Sequence, residues 1–376
     1  MFSLDLEQSC FLELIKAAVF DINPDLPDGI NWQRVFEIAQ TQCVVPLVAY
    51  YVPKETRGAW IQLSYQSKAH YMQMLYEQDS LVSILKSKEI PFVILKGTAA
   101  GIYYPVPSLR TYGDIDFYVP DSSYKIAETL LKENGYDYIT KNDRQSVYCK
   151  NGIEFELHNR ISRDENIIND IVVKELNTVD CHLGKSFFPC LPSNENGLVL
   201  LWHIMHHLKF SGIGFRQIID WMLFVHKELD DYVWENHFRS LALEAGLEKL
   251  AITVTYMCKK WLGLTDEITW CDKADEEVAD LLLARIFYDG NFGGERVLFE
   301  SIKLAIRNEG LFRYLQRAGM ENWKSAQKHV VLRPFAWFYQ LCRFAYKGTL
   351  MLIKGKKVFI KDKHETSLKE LRQRLE

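Results

Sequence analysis

The chain has 376 residues, enough for two or three domains of ordinary size and for a large buried core. With 48% hydrophobic, 25% charged and 13% aromatic residues, its composition is that of a soluble globular protein. The formal net charge of −4 is too small to point to a charged partner. The charge is unevenly spread, however: residues 324–376 hold 13 Lys+Arg against 4 Asp+Glu, a net of +9. Such a basic tail suits contact with nucleic acid or an anionic surface, or a plain solvated helical face, and the last is the commoner outcome. None of the eight cysteines forms a C-x-x-C pair, so they read as reduced thiols of a cytoplasmic protein. The first residues carry neither a basic nor an apolar signal region, and no signal peptide is expected. The apolar stretch from Pro334 to Ile353 is interrupted by Arg343 and Lys347 and makes a poor membrane span.

Residues 1–90 are expected to be a helical segment. Leu12, Ile15, Val19 and Phe20 recur at helical spacing, as do Trp32, Val35, Phe36 and Ala39. A longer run from Ala59 to Lys88 follows, with Pro91 as its stop. Residues 91–190 change character. Phe92-Val93-Ile94-Leu95 reads as a buried strand, Thr98 to Tyr104 as a short helix, and Asp114 to Val119 as a strand. A helix is expected between Pro120-Asp121-Ser122 and Asn134-Gly135. Tyr136–Thr140 and Ser146–Lys150 are expected strands, and Asn151-Gly152 signals a type I′ hairpin into Ile153–His158. Residues 191–376 return to the helical period, in Leu198–Leu208, Phe215–Glu228 and several later segments. The expected architecture is α+β: a small mixed-sheet core between N-terminal helices and a larger C-terminal helical domain.

The chemistry concentrates in the middle segment. Asp114 and Asp116, two apart on a strand, project from one face. Glu154, Glu156 and His158 do the same on a later strand, while Ile153, Phe155 and Leu157 face a core. Carboxylates crowded on one face repel unless a cation neutralises them, and hard divalent cations such as Mg²⁺ prefer such oxygens together with substrate phosphates. Just upstream, Lys96-Gly97-Thr98 forms a strand-to-helix turn whose backbone N–H groups, hydroxyl and ammonium suit a phosphate. This layout fits two-metal nucleotidyl transfer.

The stretch LKGTAAGIYYPVPSLRTYGDIDFYVP, followed by IEFELHNR, resembles the polymerase-β-type nucleotidyltransferase superfamily. In particular it resembles the uncharacterised bacterial branch with an L-K-G … R … D-I-D … [DE]-L-H pattern. The LKG and R-x-x-x-D-I-D elements also resemble the AbiEii-type toxin nucleotidyltransferases, whose substrate would be tRNA. The resemblance implies transfer of an NMP from an NTP to an acceptor with release of pyrophosphate, dependent on Mg²⁺ or Mn²⁺. It places Asp114, Asp116 and Glu156 as catalytic metal ligands. It places Lys96, Gly97, Thr98 and Arg110 on the triphosphate. Thr98 stands where Ser or Gly is commoner in the superfamily, and Glu156 where Asp is. The acceptor, whether small molecule, protein or RNA, is left open, and a catalytically silent nucleotide-binding or scaffold protein with the same fold is the alternative.

Other residues carry weaker signals. Arg110 reads equally as a phosphate contact or as a partner of Asp114. His158 reads as an orienting histidine more than a ligand. His203, His206 and His207 share a helix face but lack the third ligand that zinc needs, so plain packing, or a helix lining the cleft, is expected. Arg216 and Asp220 read as an intrahelical ion pair. The aromatics Phe335, Trp337, Phe338, Tyr339, Phe344 and Tyr346 read as core.

Overall fold

The structure is a computed structural model that describes residues 3–141, 145–162, 166–210, 212–291, 310–323, 325–326, 329–353, 370–371 and 373–375. It begins with helices α1 (Leu6–Phe20), α2 (Trp32–Thr41), α3 (Val45–Val48) and α4 (Gly58–Lys86). Helix α1 starts at a capping box, in which Asp5 accepts from the Gln8 backbone N–H and the Gln8 side chain accepts from Asp5. Helix α4 ends at Lys86, ahead of Pro91, and Glu89 turns the chain in a left-handed conformation (φ 53°).

The chain then enters a seven-stranded mixed sheet of order β3-β4-β5-β2-β1-β7-β6. Its strands are β1 (Val93–Leu95), β2 (Ile115–Tyr118), β3 (Asp137–Lys141), β4 (Gln145–Lys150), β5 (Ile153–His158), β6 (Val179–Leu183) and β7 (Ser186–Cys190). Helix α5 (Gly97–Gly101) follows β1, α6 (Asp121–Glu133) follows β2, and α7 (Asn166–Val173) precedes β6. Asn151 (φ 51°) and Gly152 (φ 80°) form the expected two-residue turn between β4 and β5. The sheet is larger than the sequence suggests. Strand β7 lies beside β1 in parallel, and β6 closes the edge. Pro189, which cannot donate to a ladder, hides β7 from a propensity reading.

The two faces of the sheet have different partners. Ile94, Ile115, Phe117, Ile153, Phe155 and Leu157 pack on α4 and α6. On the other face Val93, Leu95 and Tyr118 join a core shared by α1, α2, α3, α8 (Ser193–Phe210), α9 (Phe215–Glu228) and the helices Glu248–Leu262 and Glu276–Asp289. The N-terminal and later helices thus bury their apolar stripes against one another. Leu371 and Leu375 also belong to this core, and Arg374 pairs with Asp275 (2.5 Å) and Glu277 (2.9 Å). Of the expected basic tail, residues 324, 327–328, 354–369, 372 and 376 lie outside the described residues.

The late aromatics depart from the core reading. Helices Leu311–Asn322 and Ala336–Ile353 pair around Tyr314, Leu315 and Ala318, against which Trp337 and Phe344 pack. Tyr339 stacks on Trp323 at 5.0 Å, but Phe335, Phe338 and Tyr346 are exposed. Among the described residues these two helices bury one stripe against each other, so an aromatic run spanning the whole circumference is not all core. Among the described residues no helix is long and apolar enough to cross a membrane.

Helices α8 and α9 approach closely because Gly197 has no side chain. A Cβ there would lie 2.1 Å from Cζ of Phe224, whose ring is held by Tyr103, Trp221 and Phe238. Gly197→Ala would ordinarily favour a helix, but here the ring has nowhere to move. We expect a loss of about 1–3 kcal/mol in chemical denaturation; an unchanged or raised midpoint would count against this packing.

Candidate active site

The register of neighbouring strands assembles the site. Strands β2 and β5 run parallel with Asp116 in register with Glu156, and Tyr118 with His158. Strand β1 runs antiparallel to β2 with Leu95 opposite Asp116, so Lys96 is the first residue beyond the ladder. Lys96 turns the chain with φ 47° and ψ −129°, a conformation that side chains disfavour. Its ammonium returns over the strands to Asp116 Oδ1 at 2.9 Å. The unusual backbone at the bend therefore belongs to Lys96 and not to Gly97, whose Cβ would make only an ordinary contact, 3.5 Å from the Asp114 carbonyl.

Asp116 is the most enclosed carboxylate of the group. His158 Nε2 lies 2.7 Å from Asp116 Oδ1 and 3.3 Å from Glu156 Oε2. Facing two carboxylates, Nε2 carries the proton, and the buried Nδ1 has no hydrogen-bond partner among the described residues. Burial alone would raise the Asp116 carboxyl, but the Lys96 charge and the His158 hydrogen bond outweigh it and hold it well below the usual range. Asp114, just ahead of β2, behaves oppositely. The Asp116 charge, then burial, then Glu156 push it up to about 6, with Lys96 offsetting part of the effect.

Ligand atoms of Asp116, Glu156 and His158 lie within 4.8 Å of one another, the one such donor group among the described residues. Asp114 stands outside that tight group but lines the same cleft. The oxygens of Asp116 and Glu156, with a third carboxylate raised by its negative neighbours, fit a divalent cation, which would relieve the repulsion, while His158 orients the carboxylates it donates to. Glu154, two residues from Glu156 on the same face, is exposed and sits at the cleft rim.

The cleft encloses about 560 Å³ between this acidic floor and the helical wall of α8 and α9. Lys96, Gly97, Arg110, Asp114, Asp116 and Glu156 all line it. Thr98 does not: it is buried, and its hydroxyl donates to Gln78 Oε1 of α4 at 2.6 Å. Arg110 lines the cleft yet spends its fork elsewhere. Its Nε and Nη2 donate to Asp220 Oδ1 (2.8 Å) and Oδ2 (2.7 Å), and Tyr104 donates to the same carboxylate at 2.9 Å. The partner of Arg110 is thus Asp220, where the sequence offered Asp114. Both oxygens of Asp220 go to Arg110, while Arg216, expected as its helical partner, lines the cleft. No local pattern reveals this, because Arg110 and Asp220 are 110 residues apart.

Trp202, His203, His206 and His207 form the α8 wall. His207 Nδ1 donates to the Gly212 carbonyl (2.9 Å), which leaves Nε2 to accept from His203 Nε2 (2.8 Å). Burial lowers His203 well below the usual imidazole range, aided by His207 and Lys96. Burial also lowers His207, to about 4, against the Gly212 hydrogen bond. The pair is neutral at pH 7 and hydrogen-bonded to itself, and among the described residues the three histidines join no metal-ligand group.

Two outcomes test this geometry. Lys96→Gly and Lys96→Ala both remove the ammonium, so they differ mainly in backbone strain. Lys96→Gly should be the more stable by about 1 kcal/mol in urea melts; equal midpoints would remove the strain argument. For the histidines, the folded pKa lies below the unfolded one, so the unfolded chain binds more protons as pH falls through 6.5 toward about 4. Stability from the neutral pair is therefore present above pH 6.5 and lost through that window. A His203→Gln/His207→Gln variant should show a shallower fall in melting temperature between those pH values; an identical slope would mean the pair titrates normally.

Neither the curated proteins nor the solved structures contain a match to the chain. A family model described as uncharacterised nucleotidyltransferase matches residues 28–263, which take in α2, the whole sheet, the cleft and its α8–α9 wall. On that match the chain belongs to this nucleotidyltransferase family.

Proposed function

We propose that the protein transfers an NMP from an NTP to an acceptor hydroxyl or comparable nucleophile, releasing pyrophosphate, in a reaction that depends on Mg²⁺ or Mn²⁺. The bond between the α-phosphorus and pyrophosphate breaks as the bond to the acceptor oxygen forms, and the acceptor's proton passes to solvent. The observation that carries this reading is the register of β2 and β5. It sets Asp116 beside Glu156, with Asp114 two residues away, on the floor of a cleft large enough for a nucleotide.

In this reading Asp114, Asp116 and Glu156 hold the cations, with His158 at their edge. Ions held there would supply activation of the acceptor oxygen and stabilisation of the leaving pyrophosphate. Asp116, kept ionised by Lys96 and His158, offers its oxygens without first losing a proton. Lys96, at the mouth of the strand-to-helix turn, and Gly97, with no side chain, allow phosphates close to the backbone. The neutral His203–His207 pair and Trp202 form a wall of low charge facing the nucleotide. All eight cysteines are free, which suits the reducing cytoplasm.

Incubation with each α-labelled NTP, Mg²⁺ or Mn²⁺ and a cell extract tests the reaction and identifies the acceptor. Label should appear on an acceptor with the wild type. Glu156→Gln keeps the shape and removes the charge, and should abolish labelling in a folded protein. Glu154→Gln, at the exposed rim and displaced by about 6–7 Å along the strand, should retain most of it. The reverse ranking would move the third carboxylate to Glu154. Metal-dependent NTP binding with no labelled product from any extract would favour a silent binding protein.

A further inference from the structure

The helices Leu311–Asn322 and Ala336–Ile353 stand outside the cleft lining, and the second of them is apolar on two sides. Its inner side is filled: Ala336 is buried, and Trp337 and Phe344 pack on Tyr314, Leu315 and Ala318. Its other side is open. Phe335, Phe338 and Leu341 recur every three residues and are 57%, 54% and 47% exposed. Ahead of them, Val330 and Val331 in the preceding 3₁₀ turn are 66% and 81% exposed.

Open apolar residues on a helix whose inner side is already filled mark a contact with something apolar. That contact is not a membrane crossing, since among the described residues no helix is long and apolar enough. The charge nearby narrows the choice. From Trp323 to Lys361 the sequence has nine Lys+Arg and no Asp or Glu. Arg333 lies in the turn before the helix, and Arg343 and Lys347 belong to the helix itself. The complement of this segment is therefore both apolar and anionic.

We propose that this segment docks on the surface of an anionic phospholipid bilayer, with the helix Ala336–Ile353 lying in the plane of the headgroups. Val330, Val331, Phe335, Phe338 and Leu341 would enter the boundary with the acyl chains, to the shallow depth at which interfacial helices sit. Arginine and lysine would keep their apolar stems there and place their charges among the lipid phosphates. RNA shares the negative charge but not the apolar phase. Valine and leucine offer no hydrogen bond and no ring on which a base could stack, so the open residues favour lipid. A second copy of the same surface would set like charge against like charge. The proposal stands apart from the transferase reading, because none of these residues lines the cleft.

The test is co-sedimentation of the full chain with vesicles of phosphatidylcholine alone and of phosphatidylcholine mixed with phosphatidylglycerol. The wild type should bind the mixed vesicles, bind the neutral ones far more weakly, and be released in part by raised salt. Val331→Ser/Phe338→Ser removes apolar surface at exposed positions. It should weaken binding to the mixed vesicles about ten-fold or more and melt at the wild-type temperature. If the pair melts lower, Val331→Ser alone carries the comparison and should still weaken binding. No binding to the mixed vesicles, equal binding to the neutral ones, or full binding by the serine variants would overturn the proposal. So would a single-stranded RNA, or self-association seen by ultracentrifugation, that depends on Val331 and Phe338 while the vesicles are ignored.

Discussion

The crowding of negative charge on one face of β2 and β5 is the constraint that the rest of the site answers. Parallel strands about 4.8 Å apart bring Asp116 and Glu156 side by side, and Asp114 adds a third carboxylate at the strand entrance. Removed from bulk water, such charges are costly unless compensated. The chain compensates Asp116 twice, with Lys96 at 2.9 Å and His158 at 2.7 Å. The strained turn at Lys96 follows from that need. With Leu95 opposite Asp116, the residue able to reach back over the carboxylate is the next one, and the backbone takes a disfavoured conformation to let it do so.

A second constraint fixes the helical wall relative to this floor. The buried Arg110–Asp220 pair, with Tyr104 as a third member, joins the loop ahead of Asp114 to the middle of α9. A buried ion pair adds little over well-packed apolar groups, yet removing one partner typically costs about 3–5 kcal/mol. Its value here is positional. Through it, movement of α9 and movement of the carboxylate loop are coupled, and both sides of the cleft share the apolar core that the N-terminal helices also help to fill.

The local grammar of the site was legible in the sequence. Alternation in Ile153–His158, the Asn-Gly turn before it and a strand through Asp116 each arise from neighbours within a few residues, and the structure has them where the pattern put them, with Asp114 one residue ahead of the strand. What escaped depends on distance along the chain or on an exception to propensity. Strand β7 contains a proline. Thr98 turns inward because α4, twenty residues earlier, offers Gln78 as an acceptor. Asp220 pairs with an arginine from another element in preference to serving the expected helical pair. The exposed Phe335, Phe338 and Tyr346 show a further limit: aromatic content alone does not tell a core face from a surface one.

The two members of the D-x-D pair, alike in sequence, are unlike in charge behaviour, and that difference bears on what the proposed site would accept. Asp116 stays ionised because two donors hold it, whereas Asp114 retains its proton up to about pH 6 because its neighbours are negative. At neutral pH both are charged, and with Glu156 and the rim residue Glu154 they outnumber the cationic Lys96 and Arg216 that face the same cleft, the Arg110 charge being matched by Asp220. A free nucleoside triphosphate, itself strongly anionic, would meet net repulsion on such a floor. A triphosphate accompanied by divalent cations would not, because the ions neutralise both partners at once. On the proposed reading, the charge arrangement would therefore favour entry of the nucleotide as its metal complex, with Asp114, Asp116 and Glu156 as the residues that would hold the ions.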